Sequence, residues 1–217
     1  MKYVYVPYDS NQQKEDYQQV LLVAKTLNQR VNRLQKNKPA ILSPDTTGSY
    51  KLDNLAAPDS MLYVTAHGNP RGIGTLINPS ITPRDLAKQI DGAFPDKLVF
   101  NHIKIFACNS AFSYEGEQSF IAHFSAEMKK LGREVKCISG YIGYVGEMEM
   151  RKPKHSYAKA SCEENNSRKC RASQSRVTLF SDGSVRAAQR HLKVEINDVE
   201  QEFSAISPER ALPSCSG

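Results

Sequence analysis

Cys108 and His67 are the residues of this 217-residue chain best equipped for chemistry. A thiolate is a strong nucleophile, and an imidazole carries the proton that a leaving group needs. Each stands where an apolar run stops. Met61-Leu62-Tyr63-Val64-Thr65-Ala66 ends at His67-Gly68, and His102-Ile103-Lys104-Ile105-Phe106-Ala107 ends at Cys108-Asn109-Ser110. Runs of this length and β-rich composition read as buried parallel strands. Side by side, they put both residues at one C-terminal sheet edge, where open α/β sheets place their ligands. Cys108 then attacks a carbonyl carbon and His67 protonates the departing amine. The backbone N–H groups of Gly68 and Cys108 are the oxyanion donors, because a glycine after the histidine lets substrate approach the main chain. Asn109 and Ser110 read as the start of a helix whose positive end favours the thiolate. Singly, each residue has a plainer reading: a buried core thiol, or a hydrogen-bonded histidine in a turn. Their joint appearance at two strand ends favours the dyad.

The flanking elements must hold those ends together. Residues 2–7 read as a first strand. Ser10-Asn11-Gln12-Gln13 has the form of a capping box, opening a helix to about Lys36 with Val20, Val23, Leu27, Val31 and Leu34 as its apolar stripe. Prolines 39 and 44 with Thr46-Thr47-Gly48 mark a loop. Thr82-Pro83-Arg84-Asp85 is a cap with proline at the first helical position, opening a helix to about Ile90. A helix is expected over Glu115 to Leu131, with Phe120, Phe124 and Met128 inward and Gly132 as its stop. Val135 to Ser139 reads as a strand, and Gly140, Gly143 and Gly146 mark a turn-rich segment behind it. Arg176 to Phe180, Ser181-Asp182-Gly183-Ser184, and Val185 onward form a β-hairpin. Alternation of strands and helices predicts an α/β sandwich with right-handed crossovers. Residues 1–150 make its core, 151–193 a basic insertion and hairpin completing the same domain, and 194–217 an acidic tail.

Composition narrows the setting. Forty per cent apolar and twenty-four per cent charged residues is a globular balance. No apolar stretch reaches the length of about 18 residues that spans a bilayer. Met1 to Pro7 lacks the long apolar core of a secretory signal, so none is expected. The five cysteines, Cys108, Cys137, Cys162, Cys170 and Cys215, are odd in number and match no disulfide framework. That favours a reducing compartment, where Cys108 stays reduced. The net charge of +6 is uneven: residues 151–193 carry 11 basic and 3 acidic side chains, residues 194–217 carry 1 and 5. The positive field belongs to one segment, where a polyanion is expected to bind. Nucleic acid is not the expected partner, since few aromatic residues are interleaved for stacking.

Apolar run-His-Gly followed by apolar run-Ala-Cys resembles the caspase-like cysteine peptidases. Ile105-Phe106-Ala107-Cys108-Asn109-Ser110-Ala111 is most similar to the self-processing protease domains of large bacterial toxins, while the caspase signature Gln-Ala-Cys-Arg-Gly is absent. The resemblance covers about residues 61–146. It implies a three-layer sandwich, with a mostly parallel sheet, helices on both faces and a C-terminal β-hairpin. It also implies a Cys108–His67 dyad with Gly68 at the oxyanion hole, acting on a protein or peptide, with delivery into a host cell by a bacterium. The toxin domains are activated by inositol hexakisphosphate at a basic patch near that hairpin. Here Lys152, Lys154, Arg168, Lys169, Arg171, Arg176, Arg186, Arg190 and Lys193 stand in the comparable place, suited to a compact polyphosphate. A solvated basic loop is the plainer reading of the same segment.

Other readings stay open. Glu115, Glu117, Glu147 and Glu149 follow predicted strand ends, and lining a specificity pocket they would select a basic P1 residue, whereas the toxin domains take leucine. His155, Cys162 and Cys170 contain metal-binding residue types, but their intervals match no common zinc spacing, and no metal is expected in the chemistry. His102, His123 and His191 are expected on strand or helix surfaces. The rival functions are a catalytically idle binding module for phosphate-rich or acidic partners, and a thiol acyltransferase using the same dyad.

Overall fold

A computed structural model describes residues 2–8, 14–34, 41–44, 60–74, 80–94, 99–113, 116–145, 157–159 and 169–187. Its elements run β1 (Lys2–Tyr5), α1 (Lys14–Val31), β2 (Ile41–Leu42), β3 (Met61–Thr65), β4 (His67–Gly68), β5 (Ile73–Gly74), α2 (Pro83–Ala93) and β6 (His102–Phe106). Then come α3 (Phe120–Lys130), β7 (Cys137–Tyr141), β8 (Tyr144–Val145), β9 (Tyr157–Lys159), β10 (Lys169–Arg171), a 3-10 turn at Ala172–Gln174, β11 (Arg176–Phe180) and β12 (Val185–Ala187). Seven strands form the main sheet in the order β2-β1-β3-β6-β7-β11-β12. The first five are parallel, and the β11–β12 hairpin runs antiparallel at the end.

Side chains alternate along a strand, so neighbouring residues report opposite faces. Tyr5 packs edge-on against Phe94 at the end of α2, with ring centroids 6.3 Å apart. A Cβ added to Gly140 would lie 2.7 Å from Ile121 of α3. The next residue, Tyr141, instead lines a cavity with Leu27, Arg30 and Val31 of α1. Helices therefore cover both faces, α2 with α3 on one and α1 on the other. The core between them holds Leu62, Val64, Ile103 and Ile105 with Leu86, Ile90, Phe120 and Phe124, all buried. Arg133, itself 6 % exposed, donates to Asp91 Oδ1 at 2.6 Å and to the carbonyls of Asp91 and Phe94, closing the C-terminal end of α2.

Several boundaries differ from expectation for identifiable reasons. The cap at Thr82 forms as read, with reciprocal Thr82–Asp85 bonds, and α2 continues to Ala93. The Ser10–Gln13 box lies outside the described residues. Helix α1 ends at Val31, and Leu34, in the turn beyond it, is 91 % exposed. Ile41–Leu42, read as loop beside Pro39, pairs with β1 as an edge strand. Helix α3 begins at Phe120, not Glu115, because Gly116 adopts φ 77 and Ser119 becomes the N-cap. Within the basic insertion expected over 151–193, β9 and β10 join β8 in a three-stranded antiparallel sheet. No helix among the described residues is long and apolar enough to cross a membrane.

Candidate active site

Parallel pairing of β3 with β6 sets Thr65 beside Phe106, and the Ala66 N–H still reaches the Phe106 carbonyl at 3.5 Å. Two residues beyond that last pair, past Ala66 and Ala107, stand His67 and Cys108. Gly68 lies against the cysteine's main chain: an ideal Cβ there would be 2.6 Å from the Cys108 carbonyl oxygen and 3.2 Å from its nitrogen. Real Cβ atoms do not approach backbone that closely, so only glycine fits without a shift. His67 and Gly68 are fixed by antiparallel pairing with Gly74 and Ile73. Asn69 closes that small hairpin, its side-chain oxygen accepting from the N–H groups of Arg71 and Gly72 at 2.9 and 2.8 Å.

Cys108 occupies a turn, not the first turn of a helix. Asn109 and Ser110, expected to open one, lie in that turn, and α3 begins only at Phe120. The expected helix dipole is thus absent from the thiol. Ser110, fully buried, donates to the carbonyls of Ile105 and Ala107 and accepts from the Tyr141 N–H at 3.1 Å. That one hydroxyl ties the end of β6 to β7. The Cys108 Sγ accepts from the Val145 N–H at 3.3 Å. Burial pushes the thiol pKa up, while the amides of Val145 and of Cys108 itself pull the other way. Burial, the larger influence, favours the protonated thiol.

Glu117, a candidate for a specificity pocket, pairs with Arg71 at 3.2 Å, both side chains well exposed. Its charge is directed at the loop behind His67. Glu115, Glu147 and Glu149 lie outside the described residues.

The basic residues divide sharply. Lys152, Lys154, Arg168, Arg190 and Lys193 lie outside the described residues, and Lys169 and Arg171 sit on β10. Arg186 is exposed on β12, its guanidinium 5.5 Å from the Phe180 ring centroid. Arg176, a described member of the set, lines a cavity on the α1 face of the sheet. Its companions there are Arg30, Lys104, Tyr63, Tyr141 and Ser173, and no acidic residue is among its described lining. Lys104 Nζ lies 3.5 Å from the Tyr63 hydroxyl and 5.1 Å from that ring's centroid. Burial first, and Arg176 second, hold its pKa down to about 8. Sequence reading missed Arg30, Tyr63 and Lys104. One signal was visible: a lysine inside an otherwise apolar strand run.

His102 is also not the surface histidine expected. It is half-buried, with Nε2 2.7 Å from Ser139 Oγ, and that hydroxyl lies 2.7 Å from Thr178 Oγ1. Burial, then Lys104 and Arg176, lower its pKa to about 3, so it is neutral. His123 is exposed on α3, and His191 lies outside the described residues. Of the metal-type residues, His155 and Cys162 also lie outside them, and Cys170 is on β10. Among the described residues no cluster of three or more His, Cys, Asp or Glu side chains could hold a metal.

No protein-family model matches the chain, and no curated protein matches it in sequence.

Proposed function

We propose that the protein is a caspase-like cysteine endopeptidase with Cys108 as nucleophile and His67 as proton carrier. The observation that carries this reading is the β3–β6 register, which ends both strands at one edge with Gly68 packed on the Cys108 backbone. The mostly parallel sheet with a terminal antiparallel hairpin supports the same assignment. Cys108 transfers its proton to His67 and attacks the scissile carbonyl. The oxyanion is met by main-chain N–H groups beside Gly68 and Cys108. The C–N bond breaks as His67 protonates the amine, leaving a thioester. Water, deprotonated by His67, then releases the acid and restores the thiol.

A thiol whose pKa is raised by burial makes a slow nucleophile, which fits an enzyme that rests switched off. We therefore also propose activation by a compact polyphosphate such as inositol hexakisphosphate. The cavity of Arg30, Lys104 and Arg176 on the α1 face is the described surface that suits it. Self-processing and action in a reducing cytosol, after delivery by a bacterium, belong to the same reading. An idle binding module would share the cavity and lack the turnover.

The test is incubation of wild-type and Cys108→Ala protein with a peptide library, with and without inositol hexakisphosphate. Cleavage by wild type alone, rising with the polyphosphate, is expected. Equal background from both proteins sinks the peptidase reading. A wild type that cleaves identically with and without the polyphosphate removes only the activator.

A further inference from the structure

Two pairs of hydrogen bonds close a ring around the nucleophile. Asn109 donates its backbone N–H to the Gly143 carbonyl and accepts the Gly143 N–H on Oδ1, both at 2.9 Å. Two residues beyond Gly143, Val145 donates its N–H to Cys108 Sγ at 3.3 Å, and its carbonyl lies 3.8 Å from that sulfur. Neighbouring residues 108 and 109 are thus bound to 145 and 143, with side-chain atoms taking the part that backbone plays in a β-ladder.

The backbone of Asn109 is shaped for this role. Its φ of 52° is the one left-handed value among the described non-glycine residues. Asparagine tolerates that conformation better than most side chains. Glycine would tolerate it better still, yet would leave the Gly143 N–H without its acceptor. Gly143 is itself left-handed, φ 84°, so its carbonyl and N–H both turn toward Asn109.

We propose that Asn109 is a positioning residue, clamping the turn after β7 so that the Val145 N–H stays on the Cys108 sulfur. This deepens the reading of Cys108 as nucleophile and rests on it. An N–H donated to sulfur favours the thiolate, against the burial that disfavours it. Without the Asn109 oxygen, Gly143 keeps one of its two bonds to Asn109, and the turn is held otherwise by the Ile142 N–H on the Ser175 carbonyl and by β8–β9 pairing. The Val145 amide drifts from the sulfur, and the thiol becomes harder to ionise.

Asn109→Gly keeps the left-handed backbone and removes only the acceptor. Asn109→Asp keeps the acceptor oxygen. The measurement is site-resolved alkylation of Cys108 by iodoacetamide from pH 6 to 10, with Cys137 as the internal reference and amide hydrogen exchange over residues 141–145. In Asn109→Gly the midpoint of the Cys108 profile should rise by about one pH unit, so alkylation at pH 7 slows about tenfold while Cys137 is unchanged. Exchange over 141–145 should quicken in Asn109→Gly and stay slow in Asn109→Asp. A Cys108 midpoint that stays or falls in Asn109→Gly overturns the clamp, as does a wild-type Cys108 that takes no label at any pH. So does equally fast exchange in both variants. None of these readouts requires turnover, so loss of the peptidase reading would register separately, as absent cleavage with the alkylation shift intact.

Discussion

The strand end at Cys108 and the α1 face of the same strands are built by opposite means. At the strand end, backbone does nearly everything: register ends β3 and β6 at one edge, a glycine fits where no Cβ can, and a buried serine hydroxyl locks the turn. On the α1 face, side chains from α1, β3, β6, β7 and β11 converge, and the charges of Lys104 and Arg176 meet no acid among the described lining residues. The first arrangement is held by hydrogen bonds to main chain and by close packing. The second holds positive charge, that of Lys104 partly desolvated, which a bound anion would relieve.

Four changes break or sharpen this contrast. His67→Ala, which removes the proton carrier and leaves the backbone alone, should cut peptide turnover about a thousandfold, read as kcat/KM. Gly68→Ala should cost about a hundredfold, because the added methyl must push on the Cys108 carbonyl and displace the nucleophile. A Gly68→Ala protein of unchanged activity would mean that the close approach is unimportant. On the other face, Lys104→Met should weaken inositol hexakisphosphate binding about tenfold by calorimetry, the loss of one charge-assisted contact. Arg186→Met, at an exposed position, should change it less than about threefold.

The smallest effect is a pH dependence. Unfolded, His102 titrates near 6.5, and folded it resists protonation until about 3. Below 6.5 the unfolded chain therefore binds a proton that the folded chain does not, and stability falls as pH drops through that window. His102→Gln should flatten the decline of the thermal midpoint between pH 6.5 and 4. An identical slope in the variant would assign the acid sensitivity elsewhere.

Legibility follows the same division. The two strand ends, the Thr82 cap and the β11–β12 hairpin each depend on residues close in sequence, and local pattern displayed them. Strand β2 was missed because two residues after a proline carry no periodicity; β1 alone makes them a strand. The helix expected at Asn109 failed because Ser110 spends its hydrogen-bonding capacity on β6 and β7, not on a cap. The α1-face cavity was hidden for a deeper reason. Arg30, Tyr63, Lys104 and Arg176 are far apart along the chain and meet only through strand register and the packing of α1 on the sheet. Charge counting found the basic segment at 151–193 but could not find cations scattered among apolar residues.

The β3–β6 pairing also has a kinetic meaning. Met61 pairs with His102 and Thr65 with Phe106, so the ladder closes only after the whole intervening segment, α2 included, has been made and folded back. Parallel pairing over such a separation is slow to form, since chain entropy is lost before contacts reward it. On a ribosome, His67 is in place well before Cys108 exists. The proposed catalytic pair is therefore assembled late, when the sheet is already closing, and a half-made chain carries the two reactive groups without the means to use them together.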